Sequence, residues 1–113
     1  MATLSTHILD TSLGTPAKGV NLNLSVFIDK SWQIIAQGKT NSDGRVEKLL
    51  EDGQSLEIGR YRMKFETSDY FTGQNKSVFY PYVDIVFEIH SEDEHYHIPL
   101  ILSPFGYSTY RGS

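Results

Sequence analysis

The 113-residue chain contains no cysteine. That absence removes disulfide bonds, thiolate metal ligands and a cysteine nucleophile together. Positive charge is also scarce, since 10 lysines and arginines face 14 acidic residues for a formal net charge of −4. With no basic stripe to neutralise phosphates, nucleic acid is not an expected partner. No apolar run approaches the roughly 20 residues that a membrane-spanning helix requires, so no membrane partner is expected either. The Gly-x-Ser-x-Gly nucleophile elbow, the phosphate-binding glycine loop and the dinucleotide fingerprint are all missing. The opening MATLSTHILD lacks a basic segment followed by an apolar one and does not read as a secretory leader. The closing Arg-Gly-Ser is not the Ser-Lys-Leu peroxisomal address. Cytoplasmic is the expected location, with a periplasmic one open to a chain from which a leader had been removed.

What remains is ordinary for a globular protein: 39% hydrophobic and 21% charged residues. Residues 1–113 are expected to form a single domain around one core. Alternation of apolar and polar residues is the dominant pattern. Over Leu4 to Asp10, Leu4 and Ile8 lie on one side and Ser5, His7 and Leu9 on the other, the signature of a half-buried strand. Thr11 to Gly19 gathers Gly14, Pro16 and Gly19 and reads as a loop. In Val20 to Asp29 the residues Val20, Leu22, Leu24, Val26 and Ile28 share a face, which predicts a core strand. Trp32 to Lys39 completes a hairpin with it. Asn41 to Gly44 is a tight turn from which Arg45 emerges, and an arginine so placed is more often solvated than functional.

Leu56 to Thr67 alternates again, with Tyr61, Met63 and Phe65 opposing Arg60, Arg62 and Lys64. Ser68 or Asp69 is expected to cap a short helix running through Tyr70, Phe71 and Gln74. Val83, Ile85, Phe87 and Ile89 mark the next strand, and Ser91 to Glu94 an acidic turn. In His95 to Ser103 the residues Tyr96, Ile98, Leu100 and Leu102 face the core, whereas His95, His97, Pro99 and Ile101 face outward. Pro99 lacks a ladder donor, which favours an edge or a bulge nearby. A turn through Pro104 and Gly106 leads to a last strand over Tyr107 to Tyr110. Seven or eight short strands with one minor helix predict an antiparallel β-sandwich.

The chemistry-bearing inventory is His7, His95, His97, Arg45 and the closing Tyr110, Arg111, Gly112 and Ser113. Imidazoles titrate near neutral pH, so converging histidines supply a base and an acid. Arginine and a terminal hydroxyl can bind an anionic or imide-like substrate and stabilise a developing oxyanion. Two other readings stay open at this point. His7, His95 and His97 have the composition of a three-histidine zinc site, and the outward face carrying Ile101, Tyr107 and Tyr110 could bury against a second copy. Asp69, Asp84, Glu88 and the cluster Glu92 to Glu94 sit in polar turns or on alternating strands and read as solvated.

Three blocks carry a family resemblance: LSTHILDTSLGTPAKGV at Leu4 to Val20, NSDGR at Asn41 to Arg45, and HYHIPLILSPFGYSTYRGS at His95 to Ser113. Through them nearly the whole chain resembles the transthyretin-related family, and specifically its 5-hydroxyisourate hydrolase branch. The last block is the most specific, because the hormone-carrying transthyretin branch lacks the terminal Tyr-Arg-Gly-Ser and the matching histidines. The resemblance implies an all-β, transthyretin-like (prealbumin-like) sandwich of two four-stranded sheets with one short helix, assembled as a homotetramer, a dimer of dimers. It implies hydrolytic opening of 5-hydroxyisourate to 2-oxo-4-hydroxy-4-carboxy-5-ureidoimidazoline in urate breakdown, without metal or organic cofactor. His7, His97, Arg45 and Ser113 are then the expected catalytic residues, and Tyr110, Arg111, Gly112 and His95 the expected substrate contacts. The alternatives are a non-enzymatic carrier of the transthyretin type and a zinc-dependent hydrolase.

Overall fold

A computed structural model of the chain describes residues 2–113. Strands β1 (Thr3–Asp10), β2 (Thr15–Pro16), β3 (Asn21–Ile28), β4 (Ser31–Lys39) and β5 (Gly59–Phe65) precede one helix, α1 (Thr67–Thr72). Strands β6 (Val83–Ile89), β7 (His95–Ser103) and β8 (Gly106–Thr109) follow it. They form two four-stranded sheets, ordered β2-β1-β7-β8 and β4-β3-β5-β6. This is the expected sandwich with its one short helix. Within it, β1 and β7 run parallel, and every other paired strand is antiparallel.

The alternation in the sequence becomes the two faces of each sheet. Ile8, Leu24, Met63, Phe65, Ile89 and Leu100 are all buried between the sheets. Each side chain of this kind contributes roughly 1.5–3 kcal/mol by leaving water. The predicted core strand over Val20 to Asp29 is buried only in its first half. The register shifts between Leu24 and Ser25, Ser25 takes a buried place, and Ile28 is exposed near the hairpin. The predicted loop at Thr11 to Gly19 also contains the two-residue strand β2, paired to Leu9 and Asp10.

Two local expectations are corrected. The N-cap position of α1 is held by Glu66, without a side-chain capping bond, so Ser68 and Asp69 lie inside the first turn and do not cap it. A six-residue helix has little intrinsic stability, and this one is anchored by the buried Thr67 and Phe71. Strand β7, for which Pro99 favours an edge or a bulge nearby, is interior to its sheet. Pro99 is tolerated because pairing with β8 begins only at Leu100↔Thr109, and at Pro99 the partner side receives just the Thr109 hydroxyl, Oγ1 donating to the Pro99 carbonyl at 2.6 Å. The missing N–H falls in a gap of the pairing, between Leu100↔Thr109 and the His97↔Gly112 bridge, so no ladder bond is lost there.

A buried polar knot ties β1 to the helix. The Asp10 carboxylate is fully buried and accepts bonds from Ser12 N (2.9 Å), Ser12 Oγ (2.6 Å), Leu13 N (3.3 Å) and Tyr70 Oη (2.7 Å). Burial by itself pushes the Asp10 carboxyl up, but hydrogen bonds from Ser12, Tyr70 and Leu13 outweigh it and hold the group below the usual range. Burial and the Asp10 partner push Tyr70 up to about 12.

Candidate active site

Alternation turns Ser5 and His7 of β1, and His95 and His97 of β7, to the outer face of the same sheet. The parallel register Ser5↔His97 and His7↔Pro99 then sets the two catalytic candidates diagonally on neighbouring strands. Sequence spacing of 90 residues separates them, and the pairing removes that separation.

Arg45 arrives from the side by a stapled turn. The Asn41 side-chain carbonyl accepts from Asp43 N (2.9 Å) and Arg45 N (3.2 Å), while Gly44 N donates to Asn41 O (2.9 Å). Gly44 adopts φ +74, and its carbonyl accepts from Ile8 N at 2.9 Å. A Cβ at Gly44 would lie 2.4 Å from the Ile8 carbonyl and 3.3 Å from His7 Cδ2, so only glycine allows the turn to press against β1. The result is a bridge pairing His7 with Arg45. Arg45 is exposed, as expected of an arginine leaving a turn, and the turn sets its backbone beside His7.

The chain end closes the opposite side. Gly112 N donates to the His97 carbonyl at 2.8 Å, and the two residues form a bridge. A Cβ on Gly112 would stand 2.5 Å from His97 Cδ2 and 3.2 Å from Pro99 Cγ. The tail is thus ordered against His97, as a hydrogen-bonded strand extension. Arg111 lies with its guanidinium 4.5 Å from the centre of the Tyr96 ring and 3.4 Å from Glu94 Oε2. Tyr110 is 59% exposed and Ser113 is exposed. The structure therefore brings His7, Arg45, His97 and Gly112 together, directs Arg111 to Tyr96 and Glu94, and leaves Tyr110 and Ser113 open to solvent.

His95 has a different setting from the expected substrate contact. Its Nδ1 lies 2.6 Å from Thr3 Oγ1 and its Nε2 lies 2.8 Å from Ser5 Oγ. Ser5 Oγ is also 2.7 Å from His97 Nδ1. Both nitrogens of His95 are occupied, and one nitrogen of His97 remains for other partners. Thr3 and Ser5 were not singled out as site residues from the sequence. Ser5 was placed on the face of His7, but its meeting with β7 depends on parallel pairing across some 90 residues.

His97 is half-buried, and burial lowers its pKa, helped by the charges of Arg45, His7 and His95, while hydrogen bonding to Ser5 works the other way. A lowered value keeps the imidazole neutral at pH 7, the form in which it accepts a proton. Among the described residues, no three His, Cys, Asp or Glu side chains converge as metal ligands. A cavity of about 410 Å³ opens between β6 and the tail, lined by Phe87, Tyr96, His97, Ile98, Tyr110 and Arg111 among others. It shares His97 with the outer face but is not lined by His7 or Arg45. On the outer face, by contrast, both imidazoles and the cation lie near one another.

Comparison with known proteins agrees with the geometry. Residues 4–112 match the family described as HIUase/Transthyretin. The mouse 5-hydroxyisourate hydrolase is 43% identical over 112 residues, covering 97% of this chain and 94% of the mouse protein. Among solved structures, Klebsiella pneumoniae 5-hydroxyisourate hydrolase superposes with a TM-score of 0.86 at 39% identity, covering 98% of this chain and 99% of that one. Sea bream transthyretin in complex with thyroxine superposes with a TM-score of 0.91 at 38% identity, covering 96% and 93%. Backbone similarity does not separate hydrolase from carrier, and the side chains of the site must do so.

Proposed function

The chain belongs to the HIUase/Transthyretin family, and on that footing we propose that it hydrolyses 5-hydroxyisourate to 2-oxo-4-hydroxy-4-carboxy-5-ureidoimidazoline. The observation that carries this reading is the convergence of His7, Arg45 and His97 on one outer face, with Gly112 of the tail packed against His97. A carrier needs a shaped channel, and no part of that role calls for a neutral histidine beside an arginine and a second imidazole.

The residues divide the reaction between them. His97, neutral at pH 7, takes a proton from water, and the resulting hydroxide adds to the ring carbonyl. Arg45 faces the negative charge that develops on the carbonyl oxygen, a contribution that grows toward the transition state. His7, bridged to Arg45, stands where it can hold the substrate. The ring opens and the new carboxylic acid ionises. Arg111, Tyr110 and Ser113 complete the site in this proposal through a partner subunit within a homotetramer. The exposed Tyr110, Tyr107 and Val86 near the tail and on the edge strands are consistent with a further covering surface.

Decay of freshly generated 5-hydroxyisourate, followed in ultraviolet light with and without the protein, tests the activity. Loss no faster than the spontaneous rate would leave the carrier reading in its place. Light scattering coupled to size exclusion tests the assembly, with a mass near four chains expected.

A further inference from the structure

The hydrogen bonds Thr3–His95–Ser5–His97 form an unbroken line from the half-buried His97 to the exposed His95. Their lengths, 2.6, 2.8 and 2.7 Å, are short enough for every link to carry a proton. Two polarities of this line pass the Ser5 hydroxyl proton along it, because Ser5 and Thr3 each hold one hydroxyl proton and a neutral imidazole holds one N–H. In the first, His97 Nδ1–H donates to Ser5, Ser5 donates to His95 Nε2, and His95 Nδ1–H donates to Thr3. His97 Nε2 is then a bare lone pair, a base. In the second, every arrow is reversed, and His97 Nε2 carries the proton and is an acid.

We propose that His95, acting through Ser5, is a positioning residue that switches His97 between base and acid within one turnover. This rests on the hydrolase reading. When His97 Nε2 takes a proton from water, its Nδ1 proton passes to Ser5 Oγ, the Ser5 proton passes to His95 Nε2, the His95 Nδ1 proton passes to Thr3 Oγ1, and the exposed Thr3 releases its own hydroxyl proton to solvent. The reverse sequence delivers the Nε2 proton to the leaving ring nitrogen and draws one proton back at Thr3 Oγ1. One proton has then left and one has returned. The single net proton comes from ionisation of the new carboxylic acid, as neutral-pH hydrolysis of a cyclic amide requires.

The placement of charge favours this arrangement. Arg45 from the Asn41 turn and His7 from β1 both face His97, so a lasting positive charge there is opposed from two elements as well as by burial. His95 is exposed, so the outer ring is the one from which a proton can reach solvent. His95 in this role touches neither substrate nor reacting atoms.

Three variants test the proposal: Ser5→Ala, which cuts the line, Ser5→Thr, which keeps a hydroxyl, and His95→Phe, which keeps a ring without nitrogen. With 5-hydroxyisourate as substrate, Ser5→Ala and His95→Phe are expected to lower kcat roughly 10- to 100-fold, within the range for general acid–base assistance, with KM little changed. Ser5→Thr is expected to recover most of the rate. Added imidazole buffer is expected to raise the rate of His95→Phe and not that of the parent. The proposal is overturned if Ser5→Ala and His95→Phe match the parent, if only KM moves, or if Ser5→Thr is as slow as Ser5→Ala while all three keep the parent's melting temperature. Should one variant fold poorly, the other cut still decides, because each removes a different link. A parent that does not accelerate substrate decay at all would instead defeat the hydrolase reading, a result distinguishable from any of these.

Discussion

The two faces of β1 carry polar groups of opposite design. Inward, the Asp10 carboxylate is fully buried and accepts four hydrogen bonds from Ser12, Leu13 and Tyr70. Outward, Ser5 and His7 stand half-buried beside His95, His97 and Arg45. The inner group is satisfied and serves as a clamp, since a fully paired buried network rigidifies what it joins. The outer group retains unspent hydrogen-bonding capacity at His97 and places a cation among imidazoles, an arrangement that costs stability and serves chemistry. A strand only eight residues long thus buries a satisfied clamp on one face and presents the proposed site on the other.

Substitutions can separate these roles, beginning where the largest effect is expected. His97→Asn should lower kcat/KM by about 10²- to 10⁴-fold while leaving the melting temperature close to the parent's. Parallel loss of both in steady-state kinetics and calorimetry would show that the outer face is structural after all. Asp10→Ala should do the converse. It leaves Tyr70 Oη and buried N–H donors without their acceptor, at a cost of about 2–4 kcal/mol in urea denaturation, with kcat of the folded fraction retained.

Gly44→Ala should affect both faces, because the added Cβ meets the Ile8 carbonyl at 2.4 Å and the backbone sits at φ +74. A cost of about 1–3 kcal/mol, together with loss of activity from a displaced Arg45, is expected. Gly112→Ala, by contrast, meets the side chain of His97, and chemical denaturation should move little while activity falls. The smallest effect belongs to Glu94→Gln, which removes an exposed partner of Arg111 at 3.4 Å and should change stability by less than about 1 kcal/mol.

The two faces should also separate on acidification. Both His97 and Asp10 have lowered pKa values in the folded protein, so each contributes stability that is present above its unfolded value and lost as pH falls. For His97 the loss begins below about 6.5, the ordinary histidine value, and activity should fall on the same limb as the base is protonated. For Asp10 it begins only below about 3.9. Melting temperatures and initial rates measured between pH 8 and 3 should therefore show activity failing well before the clamp does. Coincident loss would mean that the two networks are not independent.

Much of this was legible residue by residue. Alternation in His95 to Ser103 separated Tyr96, Ile98, Leu100 and Leu102 from His95 and His97, and the structure keeps that division. The turn from Asn41 to Gly44 and the last strand followed from local chemistry in the same way. The cap of α1 was misplaced because Ser68 and Asp69 are good capping residues locally, while packing of Phe71 and Thr67 set where the helix begins. Pro99 pointed to an edge or a bulge because a sequence shows the missing donor but not where the neighbouring strand's pairing is interrupted. Thr3 and Ser5 carry no site signal in the sequence, because a hydroxyl becomes informative only once its neighbour across the sheet is known.

The sequence by itself determined the apolar face of most strands, though not of β3 beyond Leu24, which residues could do chemistry at neutral pH, and, through the three matching blocks, the family. Those properties are carried by period, composition and short motifs, all local along the chain. Tertiary structure alone decided that β1 would lie parallel to β7 in the register Ser5↔His97, and that the Gly44 turn and Gly112 would press on the two histidines from either side. Register is a long-range choice, made by the fit of whole buried faces. A one-residue slip would have kept every strand and dispersed the site.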